Sequence, residues 1–156
     1  MMKYNIDEID RKILSYLIDN ARMPFLEIAR ECGISGAAIH QRVRKLEENG
    51  IIAGSHLRVD PKAMGFDVCA FVGVQLSQPE LTDVVVEKLT QVREIVECHF
   101  ITGRNTLLIK LYCRDNEHLM KVLVNTIQKI KGVNQTETFV SLNEPIGARE
   151  VHLDNE

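Results

Sequence analysis

The sequence has no tryptophan and only 5% aromatic residues among its 156, so a core has to be built from aliphatic side chains. It also lacks a long apolar run. The longest charge-free stretch, residues 68–79, falls far short of the roughly 20 residues that a membrane-crossing helix needs. The opening MMKYNIDEID has no apolar segment of the kind that leads a secreted protein, and a cytoplasmic protein with no membrane partner is expected. Four cysteines, Cys32, Cys69, Cys98 and Cys113, show no CxxC spacing and sit in apolar segments, which predicts buried reduced thiols rather than disulfides or a zinc site. No HExxH, GxSxG or phosphate-binding loop occurs, and His40, His56, His99, His118 and His152 are scattered. Neither an enzyme nor a bound metal or cofactor is expected. Glu97 and His99 can share a strand face, but such a pair is more often structural.

Charge of neither sign dominates. A net charge of −3 argues against indiscriminate nucleic-acid binding and leaves room for a local basic patch. The composition, 45% hydrophobic and 26% charged, is that of a globular chain able to pack a core, as one domain or two small ones.

What is present is organised around residues 25–50, FLEIARECGISGAAIHQRVRKLEENG. Before it, Asp7 can cap a helix on which Ile6, Ile9, Ile13 and Leu17 recur at helical spacing. Pro24 suits the first turn of a short second helix with Phe25 or Leu26, Ile28 and Ala29 inward; Gly33 stops it and Ser35 caps a third. On that third helix, at about 100° per residue, Ile39, Val43 and Leu46 form one buried stripe. The opposite face gathers Ala37, Ala38, His40, Gln41, Arg44 and Lys45, and residues 32–46 contain no acid. Small residues let a duplex approach, while amide, imidazole and cationic donors can reach base edges and phosphates. The candidate DNA-binding residues are therefore Ser35, Ala37, Ala38, His40, Gln41, Arg42, Arg44 and Lys45. Among them His40, Gln41 and Arg44 would choose the sequence, and Arg42 and Lys45 would hold phosphates or structure. A solvated helix face is the plain alternative, but the short helix, the Cys32–Ser35 turn and the inward Ala29 fit a helix-turn-helix, in which small residues let two helices cross closely. Gly50 ends the helix and 51–60 reads as an extended linker strand, with His56 and Arg58 as further backbone contacts.

Beyond the punctuation at 61–65 the pattern changes from period 3.6 to period 2. Strands are predicted at 68–76, 95–102, 106–113 and 133–142. Helices lie between, marked by Leu81, Val84, Val85, Leu89 and Val92, and by Leu119, Val122, Leu123, Ile127 and Ile130. The order β-α-β-β-α-β predicts a ferredoxin-like antiparallel sheet with both helices on one face, so the whole chain is α+β. The domains are residues 1–60, a helix-turn-helix with its linker strand, and 61–156. In the first strand Cys69, Phe71 and Gly73 alternate with Val68, Ala70, Val72, Val74 and Leu76, so neither sheet face looks wet. Two helices cover one face, and a second copy of the chain covering the other predicts a homodimer. Two reading helices related by a two-fold axis then meet successive major grooves of double-stranded DNA, about 34 Å apart.

Taken together these stretches resemble the Lrp/AsnC family of transcription regulators. The likeness is carried by Asp10-Arg11-Lys12-Ile13-Leu14, Asn20-Ala21-Arg22, Glu27-Ile28-Ala29, Gly33-Ile34-Ser35, Arg42-Val43, Leu46-Glu47, Gly50-Ile51-Ile52 and Gly65-Phe66-Asp67, then Thr102-Gly103 and Thr136-Glu137-Thr138. Cys113-Arg114 and Ile127-Gln128 point to its asparagine-responsive branch. The resemblance implies a winged helix-turn-helix on DNA, dimerisation through the second domain, an octamer of four dimers, and an amino-acid effector bound between dimers. It places the effector at Thr102, Gly103, Arg104, Asn105 and Thr106, with Gln128, Thr136, Glu137 and Thr138 nearby. Thr106 stands where many members carry an aspartate, which favours an asparagine-like ligand over leucine or lysine. Gly103 could equally make a plain hairpin, and the threonines favour strands in any case. The rival function is an amino-acid-sensing module whose N-terminal helices dock on a protein instead of DNA.

Overall fold

The computed structural model describes residues 4–147 and 151. The chain divides into two compact units at Arg58 and Val59, the second closing at Ile146.

In the first unit Asp7 opens α1 (Glu8–Asp19) with a reciprocal capping box: its carboxylate accepts the Asp10 N–H at 2.8 Å, and the Asp10 side chain accepts the Asp7 N–H at 3.3 Å. Pro24 precedes α2 (Phe25–Glu31) as its cap residue, and Gly33, at φ 65°, turns the chain toward Ser35. The Ser35 hydroxyl accepts the Ala38 N–H at 3.2 Å and starts α3 (Gly36–Glu48). Ile13, Leu14, Ile28, Ala29, Ile39, Val43 and Leu46 are buried together in one core. Phe25 packs against that core while Leu26 is exposed, which settles the choice between them. Among the described residues, 51–60 forms no strand: an isolated extended segment has no ladder partner in a single chain.

The second unit comprises β1 (Val68–Leu76), α4 (Thr82–Leu89), β2 (Ile95–Phe100), β3 (Leu107–Cys113), α5 (Asn116–Asn125) and β4 (Val133–Ser141). The strand order β2-β3-β1-β4, antiparallel throughout, makes both helical connections cross over a neighbouring strand. Val85 and Leu89 of α4 and Leu119 and Val122 of α5 close over Ala70, Val72, Val74, Leu107, Ile109 and Leu111, so both helices cover one face. Helix α5 is shorter than predicted: it stops at Asn125, and Ile127–Lys129 continues as one tighter 3-10 turn that still buries Ile127. Val84 points outward, 47% exposed.

Two expectations are corrected here. The sheet face away from the helices is more polar than β1 alone suggested, because β3 and β2 contribute charges. Lys110 lies 3.5 Å from Glu97 and over the Phe71 and Tyr112 rings at 5.7 and 5.6 Å. Of the four thiols, Cys113 alone is buried; Cys32 and Cys69 are half-buried, and Cys98 is exposed because β2 is an edge strand. Burial, with Glu94 and Asp115 nearby, pushes the Cys113 thiol up to about 11, so it stays protonated at neutral pH.

Candidate nucleic-acid interface and effector turn

Helix α3 presents the expected face. Ser35, Ala37, His40, Gln41, Arg44 and Lys45 are exposed and Ala38 is half-buried, while Ile39, Val43 and Leu46 anchor the helix from behind. The His40 ring stands edge-on to Phe25 with centroids 5.1 Å apart, which limits its rotamers before any ligand arrives. Arg44 Nε lies 2.8 Å from Glu48 Oε1 one turn along, with both side chains more than half exposed. An exposed pair of this spacing is worth only about 0.3–0.5 kcal/mol, so a base edge or phosphate can displace Glu48 at little cost.

Arg42 is placed differently. It flanks the buried stripe, and its Nη1 donates to Asp7 Oδ2 at 2.7 Å and to Asp10 Oδ1 at 2.8 Å. The other Asp10 oxygen accepts from the Tyr4 hydroxyl at 3.1 Å. Of the two roles predicted for Arg42, phosphate contact or structure, this geometry engages the second. The Asp10 backbone N–H holds the Asp7 carboxyl below its ordinary value of 3.8; Arg42 adds to this and partial burial opposes it. Because the folded value lies below the unfolded one, Asp7 stabilises the fold at pH values above the unfolded value. That contribution disappears as pH falls through the folded value. The melting transition of the first unit is therefore expected to drop as pH falls below about 4, and to drop less in Asp7→Asn, which keeps a cap but no charge. Thermal unfolding between pH 6 and 2 checks this, and equal acid sensitivity in the two proteins would contradict it.

The predicted effector residues gather in two groups. Residues 101–106 link β2 to β3, and the Thr106 N–H reaches across to the Val74 carbonyl at 3.0 Å. The Asn105 side chain lies over Gly73 and points its Nδ2 toward Glu137 Oε2 at 3.4 Å, a long hydrogen bond. A Cβ at Gly73 would meet Asn105 Nδ2 at 2.3 Å, so only glycine leaves room for that side chain. Gln128 forms the second group, its Nε2 donating to Thr136 Oγ1 at 2.8 Å. Thr136 and Thr138 pair with Val74 and Val72 and so share the helix-covered face, whereas Glu137 pairs with Gly73 on the other. Thr102, Gly103 and Arg104 are exposed at the tip. A hollow of about 310 Å³ lies elsewhere in this unit, lined by Glu94, Arg114, Asp115, Glu117, His118 and Lys121, and includes none of the turn residues. Gly73 was missed as part of this arrangement, since nothing in the alternating pattern of β1 shows that Asn105 folds across it.

Comparison with known proteins accords with both units. Residues 6–53 match a family model described as winged helix-turn-helix DNA-binding, and residues 69–151 match the Lrp/AsnC ligand binding domain. The regulatory protein AsnC of Escherichia coli K12 is 39% identical over 146 residues, covering 94% of this chain and 96% of that protein. The HTH-type transcriptional regulator Ptr1 of Methanocaldococcus jannaschii is 40% identical, covering 83% and 86%. Among solved structures, E. coli AsnC superposes with a TM-score of 0.91 at 38% identity, covering 96% of this chain and all of that one. A feast or famine regulatory protein from M. tuberculosis complexed with L-methionine superposes with a TM-score of 0.88 at 26% identity, again covering 96% of this chain and all of that one.

Proposed function

The chain belongs to the Lrp/AsnC family of DNA-binding transcription regulators with an amino-acid ligand domain, and on that premise we propose how its residues divide the work. Residues 1–60 form the DNA-reading domain, and 61–156 the domain that assembles copies and senses an amino acid. His40, Gln41 and Arg44 read base edges in the major groove, Lys45 contacts phosphate, and Ser35, Ala37 and Ala38 let the backbone come close. The observation that carries this is the face itself: small and donor side chains exposed on α3, backed by a fully buried aliphatic stripe. With so few cations on each reading helix, tight binding needs two of them, which a homodimer supplies. The helix-free face of the sheet, with Phe139 53% exposed beside Phe71 and with Tyr112 on the same face, is the surface we assign to the second copy, and four such dimers would complete an octamer. The protein works in the cytoplasm, has no catalytic role, and binds no metal or cofactor.

For the effector we propose an amino acid, asparagine before leucine or lysine, at the rim of β4. Support comes from Glu137, whose exposed carboxylate suits an ammonium group, and from the backbone amides of the exposed turn around Gly103, which suit a carboxylate. Edge strand β4 lets one ligand at that rim approach Asn105 and Glu137 from one side and Gln128, Thr136 and Thr138 from the other. Thr106→Val is expected to weaken asparagine binding about tenfold, the loss of one well-placed hydrogen bond, while changing effector-free DNA affinity less than twofold. Calorimetric titration with asparagine and anisotropy with DNA measure the two, and an unaltered asparagine isotherm would count against the pocket.

A further inference from the structure

We infer that Asp10 governs DNA reading from a distance, using Arg42 as a positioning residue that fixes the rotation of α3 against α1. This rests on the proposed role of α3 as the reading helix. Among the described residues Asp10 is the one buried polar or charged side chain, 1% exposed. A buried carboxylate is costly, and an aliphatic residue of similar volume would pack the same space without that cost. Asp10 is nevertheless fully engaged. Its Oδ1 accepts from Arg42 at 2.8 Å, and its Oδ2 accepts from the Tyr4 hydroxyl at 3.1 Å and from the Asp7 N–H at 3.3 Å. Arg42 also reaches Asp7, so one guanidinium nitrogen ties α3 to α1 at Asp10 and to its cap residue Asp7, 32 and 35 residues away in the chain.

The aliphatic packing of α3 sets its rotation less sharply. Ile39, Val43 and Leu46 are held by packing, which is non-directional and tolerates a small slide or roll of the helix. Charge-assisted hydrogen bonds are short and directional, and do not tolerate it. At about 100° per residue Arg42 lies roughly 120° from the middle of the reading face, so its side chain stands off that face, where it clamps the helix. Bidentate contacts to bases demand side chains placed to within about 0.5 Å, a tolerance that a helix free to roll would exceed.

The test reads fluorescence anisotropy on two duplexes: the strongest that the wild-type chain recovers from a randomised pool, and a scrambled version of it. Asp10→Asn and Arg42→Gln are measured well below each variant's melting temperature, so that folded protein is compared with folded protein. Both are expected to lose about tenfold on the selected duplex and less than twofold on the scrambled one, with the salt dependence unchanged. Lys45→Ala, by contrast, should weaken both and flatten the slope of log affinity against log salt by about 0.9. Tyr4→Phe removes one bond to Asp10 and leaves the ion pair in place. It should show the same pattern at roughly threefold and supplies the readout if Asp10→Asn does not fold. A slope flattened in Arg42→Gln on both duplexes would make Arg42 a phosphate contact and overturn the inference, leaving α3 as the reader. Wild-type affinities in all three variants would overturn it too. If instead Gln41→Ala and Arg44→Ala bound as tightly as wild type, the reading by α3 would fail, and the inference with it.

Discussion

Replacing both Gln41 and Arg44 by alanine is expected to lower affinity for a selected duplex by at least a hundredfold while leaving the oligomer intact. The two side chains stand one turn apart in sequence spacing on the exposed face of α3, and both are free of the buried stripe. Each good bidentate contact to a base discriminates by about 1–3 kcal/mol, so losing two removes roughly two or more orders of magnitude. Opening the Arg44–Glu48 pair offsets only a few tenths of a kcal/mol of that loss. Neither residue belongs to the buried core of the first unit, so folding and assembly should be unaffected, and light scattering alongside the binding titration separates the two effects. Wild-type affinity in the double variant would remove α3 as the reader.

The second large effect is expected at Gly132, where the chain enters β4. Gly132 is buried at φ 108°, and a Cβ there would meet Val85 Cγ2 at 2.9 Å and Leu81 Cβ at 3.1 Å. Its carbonyl also accepts the Ser77 N–H at 2.9 Å, so the backbone has no room to shift. Gly132→Val combines left-handed strain of about 1–2 kcal/mol with overpacking of about 1–3 kcal/mol. The second unit should lose about 2–5 kcal/mol, and its calorimetric transition should fall by about 10 °C or more. The first unit has its own core and its transition should stay in place. An unchanged profile would mean that α4 yields more readily than its contacts indicate.

Much of this fold was legible because it is written in local chemistry. Asp7, Gly33 and Ser35 announce the ends of three helices within a few residues of where they act. The alternation of Val72 and Val74 with Phe71 and Gly73 likewise shows which residues of β1 share a face, though not which face the helices cover. What stayed hidden is non-local. A structural role for Arg42 was one of two open to it, but its partners lie more than 30 positions earlier and could not be named. The convergence of Asn105, Gly73 and Glu137 depends on the strand register, which composition does not carry. Apolar residues at Ile127 and Ile130 extend the helical period past Asn125, yet the chain tightens there into a 3-10 turn. The residues proposed for the effector were the hardest to bring together from sequence, since the strand register puts Thr136 and Thr138 on one face of the sheet and Glu137 on the other.

Dimethyl sulfate footprinting on the selected duplex tests the central claim most directly, because the reagent methylates guanine N7 in the major groove and adenine N3 in the minor groove. Reading by paired α3 helices predicts two patches of guanine N7 protection centred about 10 base pairs, or 34 Å, apart, both lost in the Gln41 and Arg44 double variant. Protection confined to adenine N3, or guanine protection that survives in the double variant, would contradict it.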